Sequence, residues 1–413
     1  MSILLKSLQL ISNGTIENPK DYFYDGKEIR VYNGESKIDR EIDCEGWLAS
    51  KGWIDLRCGV GEPGYEYIET FESLGESLKK SGFSQAVILP NTNPVIQSKN
   101  EVAFVKNKTQ DIFSKIHIMA SATKDSKGED LTEILDIHHQ GVNIFGDGLV
   151  PLSNSDRLMK VLQYLQKFDG VLFDQSFDPL LAIFGQMHEG HTSTRLGIKG
   201  IPSLAEEVAI QKNIEILRYT GGSIHFQTVS TSKGIEEIRK AKQEGLQVTA
   251  DVSLYQLLFL DEDLFDFDTN LKVNPPFRGK KERAALIDGL KDGTIDALVS
   301  NHIPQDWDSK HMEFDLASFG MAGLQAFLPG MVKLEEELGW PLLVEKITEG
   351  PSKVLRQKET KLDSLTIFDP NEEWDFDRHT NKSLSFNSPY FNQTLKGKVK
   401  VVISEGKIEE IND

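Results

Sequence analysis

Between residues 51 and 355 the chain alternates between short β-rich runs and helical stretches. The β-rich runs are WIDLRC (53–58), QAVILP (85–90), KIHIMAS (115–121), VNIFGD (142–147), VLFDQ (171–175), SIHFQTV (223–229), QVTADV (247–252) and ALVSN (297–301). Helical segments such as TFESLGESLKKSG, KNEVAFVKNK, KGIEEIRKAKQEG and KKERAALIDGLKDG fall between them. Parallel strands must be joined by crossovers, and a helix is the usual crossover, so strand–helix alternation predicts parallel sheet. A count close to eight favours an α/β fold of the (β/α)8 TIM-barrel type over an open doubly wound sheet. In such a barrel the reactive groups sit at the C-terminal ends of the strands.

Both ends of the chain read differently. Leu4, Leu8 and Leu10 form part of an apolar run that ends at the turn signal Asn13-Gly14, and SLTIFDP, GKVKVVISEG and KIEEI near the other end are β-like. Two β-rich ends around an alternating middle predict a small β-sandwich domain built from 1–50 and 356–413, with the barrel over 51–355.

The net charge of -18 repels phosphate backbones and anionic lipid, so neither nucleic acid nor membrane is an expected partner. Only Cys44 and Cys58 are present, too few for a disulfide framework or a thiolate zinc site, which suits a reducing cytoplasm. Cys58 lies between inward-facing strand positions, so it is expected to point outward as a buried structural thiol. His138-His139 reads as a solvated pair on a helix. Tyr65 and Tyr67 follow Glu62-Pro63-Gly64 and either close the barrel mouth or face a partner. There is no Gly-rich phosphate loop, no G-x-S-x-G elbow at a strand–helix junction and no CxxC pair.

The strand ends carry a family resemblance. GWIDLRCGVGEPGYEYIET, VILPNTNPVIQS, GQMHEGHTSTRLGIKGIPSLAEE, VSTSKGIEEIRKAKQEGLQVTADVS, NLKVNPPFRGKKERAALIDGLKDGTIDALVSNHIP and FDLASFGMAGLQAFLP follow one another in order over nearly the whole chain. In this order the chain resembles the dihydroorotases of multifunctional complexes, in the amidohydrolase superfamily. That resemblance implies a zinc-dependent barrel with a small β domain from both termini, closing carbamoyl-aspartate to dihydroorotate and reopening it. Ring opening needs hydroxide at neutral pH, which a metal supplies by acidifying bound water.

The positions that would do this chemistry are replaced. Where the family has D-x-H-x-H, this chain has Asp55-Leu56-Arg57-Cys58-Gly59. Gln175, Thr228 and Asn301 stand where the resemblance places two later histidines and the proton-shuttling aspartate. The D-D-G of the family is Gly146-Asp147-Gly148, so one carboxylate of the pair is left. Asp55, Asp147, His225 and His302 are the polar groups remaining at the old metal position. The two histidines read either as hydrogen-bonded barrel residues or as weak ligands. Gly61 and Gln305 replace a substrate-anchoring arginine and histidine. Asn93 and Asn274 are kept, either for binding or for loop stabilisation, and with Arg57 and His302 they make the substrate-pocket candidates. Arg57 is expected to pair with Asp55 or Asp147 and to replace the metal electrostatically, or else to reach solvent.

These replacements predict a pseudo-dihydroorotase with no zinc or other cofactor and no intact catalytic set. Its expected role is a binding or assembly subunit linked to pyrimidine biosynthesis, as a homo-oligomer, with aspartate carbamoyltransferase as the partner the resemblance suggests. Two alternatives stand beside it. One is an active cyclic amidohydrolase with an altered site. The other is a sensor that binds a small-molecule ligand in the old pocket.

Overall fold

The computed structural model describes residues 2–34, 37–358 and 362–411. Eight parallel strands form the barrel: β1 (Trp53–Cys58), β2 (Phe83–Ile88), β3 (Lys115–Ala120), β4 (Ile144–Phe145), β5 (Val171–Asp174), β6 (Ile224–Phe226), β7 (Val248–Ser253) and β8 (Ala297–Val299). Each pairs with its sequence neighbour in order, which is the (β/α)8 arrangement that the alternation predicts. The seam between β8 and β1 is closed just beyond β8, where Cys58 bridges His302 and the Gly59 N–H donates to the His302 carbonyl at 2.7 Å.

Two apolar layers follow from the period of two along each strand. Ile54 and Leu56 join Val87, Leu89, Met119, Phe173 and Val299 in a cluster inside the barrel. Trp53, on the other face of β1, joins the larger cluster between strands and helices, with Phe83, Leu162, Ile238 and Phe327, and Cys58 joins it because the strand shifts register between Asp55 and Cys58. Cys58 is fully buried there and burial pushes its thiol pKa well above the ordinary value. The helices cover the outer layer by burying apolar side chains against the strands. In helix Phe71–Lys80, for example, the Thr70 side chain accepts the Ser73 N–H, Ser73 answers at the Thr70 N–H, and Leu74 and Leu78 are buried on the strand side.

A mostly β domain comes from both termini. Strands Ile3–Ser12, Lys20–Tyr24, Leu48–Ser50, Leu365–Phe376, Gln393–Ser404 and Lys407–Glu410 belong to one nine-stranded sheet with its own apolar cluster around Leu5, Tyr24, Ile367 and Val401. Trp53 ties this domain to the barrel: its indole N–H donates to Ser50 Oγ at 2.8 Å and its ring meets the edge of Phe368 at 5.5 Å. Among the described residues no helix is long and apolar enough to cross a membrane.

Leu56 is fully buried inside the barrel directly beneath Arg57 in sequence. Leu56→Ala removes apolar contact and leaves a cavity in a closed shell, with an expected loss of about 3 kcal/mol in urea unfolding; a loss below about 1 kcal/mol would mean that the strand can slide to fill the gap.

Candidate site at the barrel mouth

The pairing of β1 with β2 shifts register between Asp55 and Cys58, and Arg57 projects from this irregular stretch. Its guanidinium meets three strand ends. Nε donates to Asn301 Oδ1 at 2.9 Å, Nη1 to Gln227 Oε1 at 2.7 Å and Nη2 to Gln175 Oε1 at 2.7 Å. Arg57 is 0% exposed and the three amides are buried with it. A guanidinium only donates, so each amide must present its oxygen. That fixes the orientation of all three side chains and turns their NH2 groups away from Arg57.

The carboxylates stand off. Among the described residues none makes an ion pair with Arg57, and Asp251, Asp55 and Asp174 act on it only at longer range. Burial lowers its pKa to about 10, so the charge persists at neutral pH. The expected pairing with Asp55 or Asp147 is therefore replaced by three neutral amides, and the alternative of a solvated Arg57 is excluded by its burial. Asp55 accepts the Arg57 backbone N–H at 3.0 Å and lies 3.3 Å from the Ser300 N–H, and burial lifts its pKa to about 6. Asp147 accepts Ser121 Oγ at 2.8 Å, the Thr123 N–H at 2.9 Å and Thr123 Oγ1 at 2.5 Å, and burial raises its pKa as well.

Both remaining histidines are engaged. His225 spans β6 and β7, with Nδ1 2.8 Å from Thr249 Oγ1 and Nε2 2.8 Å from Asp251 Oδ2. His302 Nε2 lies 3.3 Å from Glu69 Oε2, while its Nδ1 is buried without a partner. Glu69 also accepts the hydroxyls of Ser73 and Ser383, tying the mouth to the segment between strands Leu365–Phe376 and Gln393–Ser404. Thr228 has a left-handed backbone (φ 50°). Its N–H donates to Asp251 Oδ1 at 2.5 Å and its Oγ1 is buried without a partner.

The other sequence candidates scatter. Asn93 is exposed, with its backbone N–H on the Pro63 carbonyl. Asn91 instead lines the mouth, donating to the Asp147 carbonyl and accepting the Leu149 N–H. Asn274 borders a small cavity with Gln175, Gln227, Thr228 and Arg278. Gln305 donates to the Phe319 carbonyl at 3.1 Å. With Tyr65 and Tyr67 it lines a cleft of about 360 Å³ over Gly59 and Gly61. His139 is exposed, whereas His138 is half-buried and stacks on Phe168 at 3.8 Å. Gln227 and Glu69 are site residues that the sequence reading missed. The available signal for Gln227 was its position two residues after the inward His225 on one strand.

Two glycines show how the backbone has settled. A Cβ on Gly61 would lie 2.1 Å from the Tyr65 carbonyl oxygen, and one on Gly146 would lie 2.0 Å from that of Phe173. Neither position admits any side chain on this backbone. Among the described residues no three His, Cys, Asp or Glu side chains converge in a way that could hold a metal ion.

Comparison with known proteins gives a consistent family. Residues 46–234 match the family model described as dihydro-orotase-like. A dihydroorotase from Acetivibrio thermocellus is 36% identical over 392 residues, covering 93% of this chain and 91% of its own length. One from Syntrophus aciditrophicus is 32% identical over 422 residues, covering 99% of each chain. Among solved structures, the L-hydantoinase of Arthrobacter aurescens superposes with a TM-score of 0.88 over 100% of this chain and 96% of its own, at 20% identity, a likeness of fold.

Arg57→Met keeps the length of the side chain and deletes its donors, leaving three buried amide oxygens without partners. The expected cost is about 3 kcal/mol by chemical denaturation. Arg57→Lys should recover only part of it, because one ammonium cannot match a planar fork aimed at three strands. A neutral Arg57→Met would show that the guanidinium does not hold the mouth.

Proposed function

This chain belongs to the dihydroorotase-like family, and from that premise we propose that it is a non-catalytic member whose barrel binds rather than reacts. The observation that carries the proposal is the buried guanidinium of Arg57 held by Gln175, Gln227 and Asn301. By the sequence resemblance, three of those four residues stand where the family keeps metal ligands and its acid–base aspartate.

The donor set does not fit the zinc that the family implies. A guanidinium has no lone pair to offer, amide groups bind divalent zinc weakly, and Gly59 has no side chain. Asp147 and Asp55 are committed to local donors, and His225 is bonded at both ring nitrogens. A permanent positive charge at the centre also repels any cation brought near. Without activated water, ring opening loses its nucleophile. Asn301 cannot take up and return a proton as an aspartate does, a function commonly worth about 100–10,000-fold.

The retained fold and acidic surface then serve association. We assign the chain to an assembly role beside pyrimidine-forming enzymes, with aspartate carbamoyltransferase as the partner favoured by the sequence resemblance. Purified protein should carry less than about 0.1 zinc per chain after growth in zinc-supplemented medium, a threshold set by the absence of imidazole ligands. It should open dihydroorotate no faster than buffer. Stoichiometric zinc, or turnover that co-purifies with the protein and vanishes on chelation, would overturn the reading.

The partner is tested separately. Mixing with the aspartate carbamoyltransferase of the same cell should give one species of higher mass by light scattering. Two independently eluting species would remove that partner and leave the loss of catalysis standing.

A further inference from the structure

We infer that the chain pairs with a second copy of itself through an exposed apolar turn beyond β5, built from Leu180, Leu181, Ile183 and Phe184 with Leu204 beside them. These five side chains are between 40% and 76% exposed. Exposed apolar residues scattered singly are ordinary, but four within five consecutive positions form a patch of the kind that marks an interaction surface. The inference stands whether or not the barrel reacts, because no group at the strand ends takes part in it.

The turn is held in shape from beneath. Asp178 Oδ1 accepts the Leu180 N–H at 2.8 Å and the Leu181 N–H at 3.0 Å. The Asp178 N–H donates to the Ala205 carbonyl and the Gln186 N–H to the Lys199 carbonyl, each at 2.8 Å, so both ends of the turn are fastened to the chain around Leu204. Gly185 packs so closely on Ile201 that a Cβ would lie 2.3 Å from Ile201 Cγ1. A surface already fixed in shape loses little freedom on docking. Phe184 adds a second sign. It is 74% exposed with a left-handed backbone (φ 59°), a conformation that a bulky side chain rarely adopts. The Lys199 ammonium lies over its ring at 5.6 Å, yet the turn displays an aromatic ring where a glycine would relieve the strain.

Area and charge select the occupant. From their exposures the five side chains offer about 600 Å² per chain, so two facing patches hide about 1,200 Å², the lower limit of a specific interface before any rim is counted. Residues 179–187, PLLAIFGQM, carry no charge, in a chain whose net charge is -18. Two copies repel one another across most of their surface, and at this turn they can approach with no like charges on the facing segments. Beside the turn both signs are present, with Glu189 and Lys199 exposed, which a two-fold pair can match crosswise. A lipid surface is the poorer fit, since the acidic chain repels anionic headgroups.

The test weighs the full chain by sedimentation equilibrium at about 1–50 μM, a range that covers an ordinary dimer. Wild type should have twice the mass of one chain. Phe184→Gly suits the left-handed backbone and should melt at about the wild-type temperature, yet weaken the dimer about 100-fold, because one substitution removes two anchors across a two-fold pair. Leu180→Asp should do the same by setting two like charges face to face. Tyr219→Asp, at an 83% exposed position near the far end of helix Ser203–Thr220, should leave the mass unchanged. A monomer throughout this range would overturn the inference. So would a dimer of unaltered strength in both Phe184→Gly and Leu180→Asp, or an equal weakening by Tyr219→Asp. Binding of a monomer to neutral phosphatidylcholine vesicles, lost in Leu180→Asp, would assign the patch to lipid and overturn it as well. Zinc content and dihydroorotate opening are separate measurements, so the proposed function is judged apart from this result.

Discussion

The mouth of this barrel depends on one cation that keeps its proton at neutral pH. Arg57 leaves β1 and reaches the ends of β5, β6 and β8 through a single planar group, so four of the eight strand ends share one centre. Bonds from a charged donor are stronger than those between neutral groups, and burial strengthens them further. The acceptors are all amide oxygens. An amide oxygen carries no formal charge, so the charge of Arg57 is met by carboxylates only at longer range, from Asp251, Asp55 and Asp174.

That choice explains the disposition of the carboxylates. Asp55, Asp147, Asp174 and Asp251 lie around the same ring, yet each is satisfied by donors of its own neighbourhood. Asp174 accepts the Leu152 N–H, Ser176 Oγ and Asn213 Nδ2. Asp251 accepts the Thr228 N–H and faces His225. These bonds offset part of the burial cost, although burial still raises the pKa of Asp55, Asp147 and Asp174. The four carboxylates make separate local interactions and do not share one centre.

Much of the fold was legible because strand–helix alternation is local and repeated. All eight barrel strands lie within or beside the runs read from the sequence, with ends moved by a few residues, and the β domain from both termini followed from the contrast with the middle. The site was legible only in part. Arg57, Gly59 and Asn301 could each be placed at a strand end from the sequence alone. What Arg57 touches could not, since its partners lie far along the chain and their meeting depends on how the barrel closes. A guanidinium beside aspartates suggests an ion pair from sequence alone, and only the geometry shows that Asp147 is already taken by Thr123. Asn93 against Asn91 is a question of loop direction, which a two-residue spacing does not decide.

Gly61 and Gly146 carry a consequence for descent. Where a neighbouring carbonyl oxygen fills the volume that a β-carbon would need, any side chain demands that the loop be rebuilt beforehand. Any route from this chain to one with a side chain at either position must first pass through a shifted backbone.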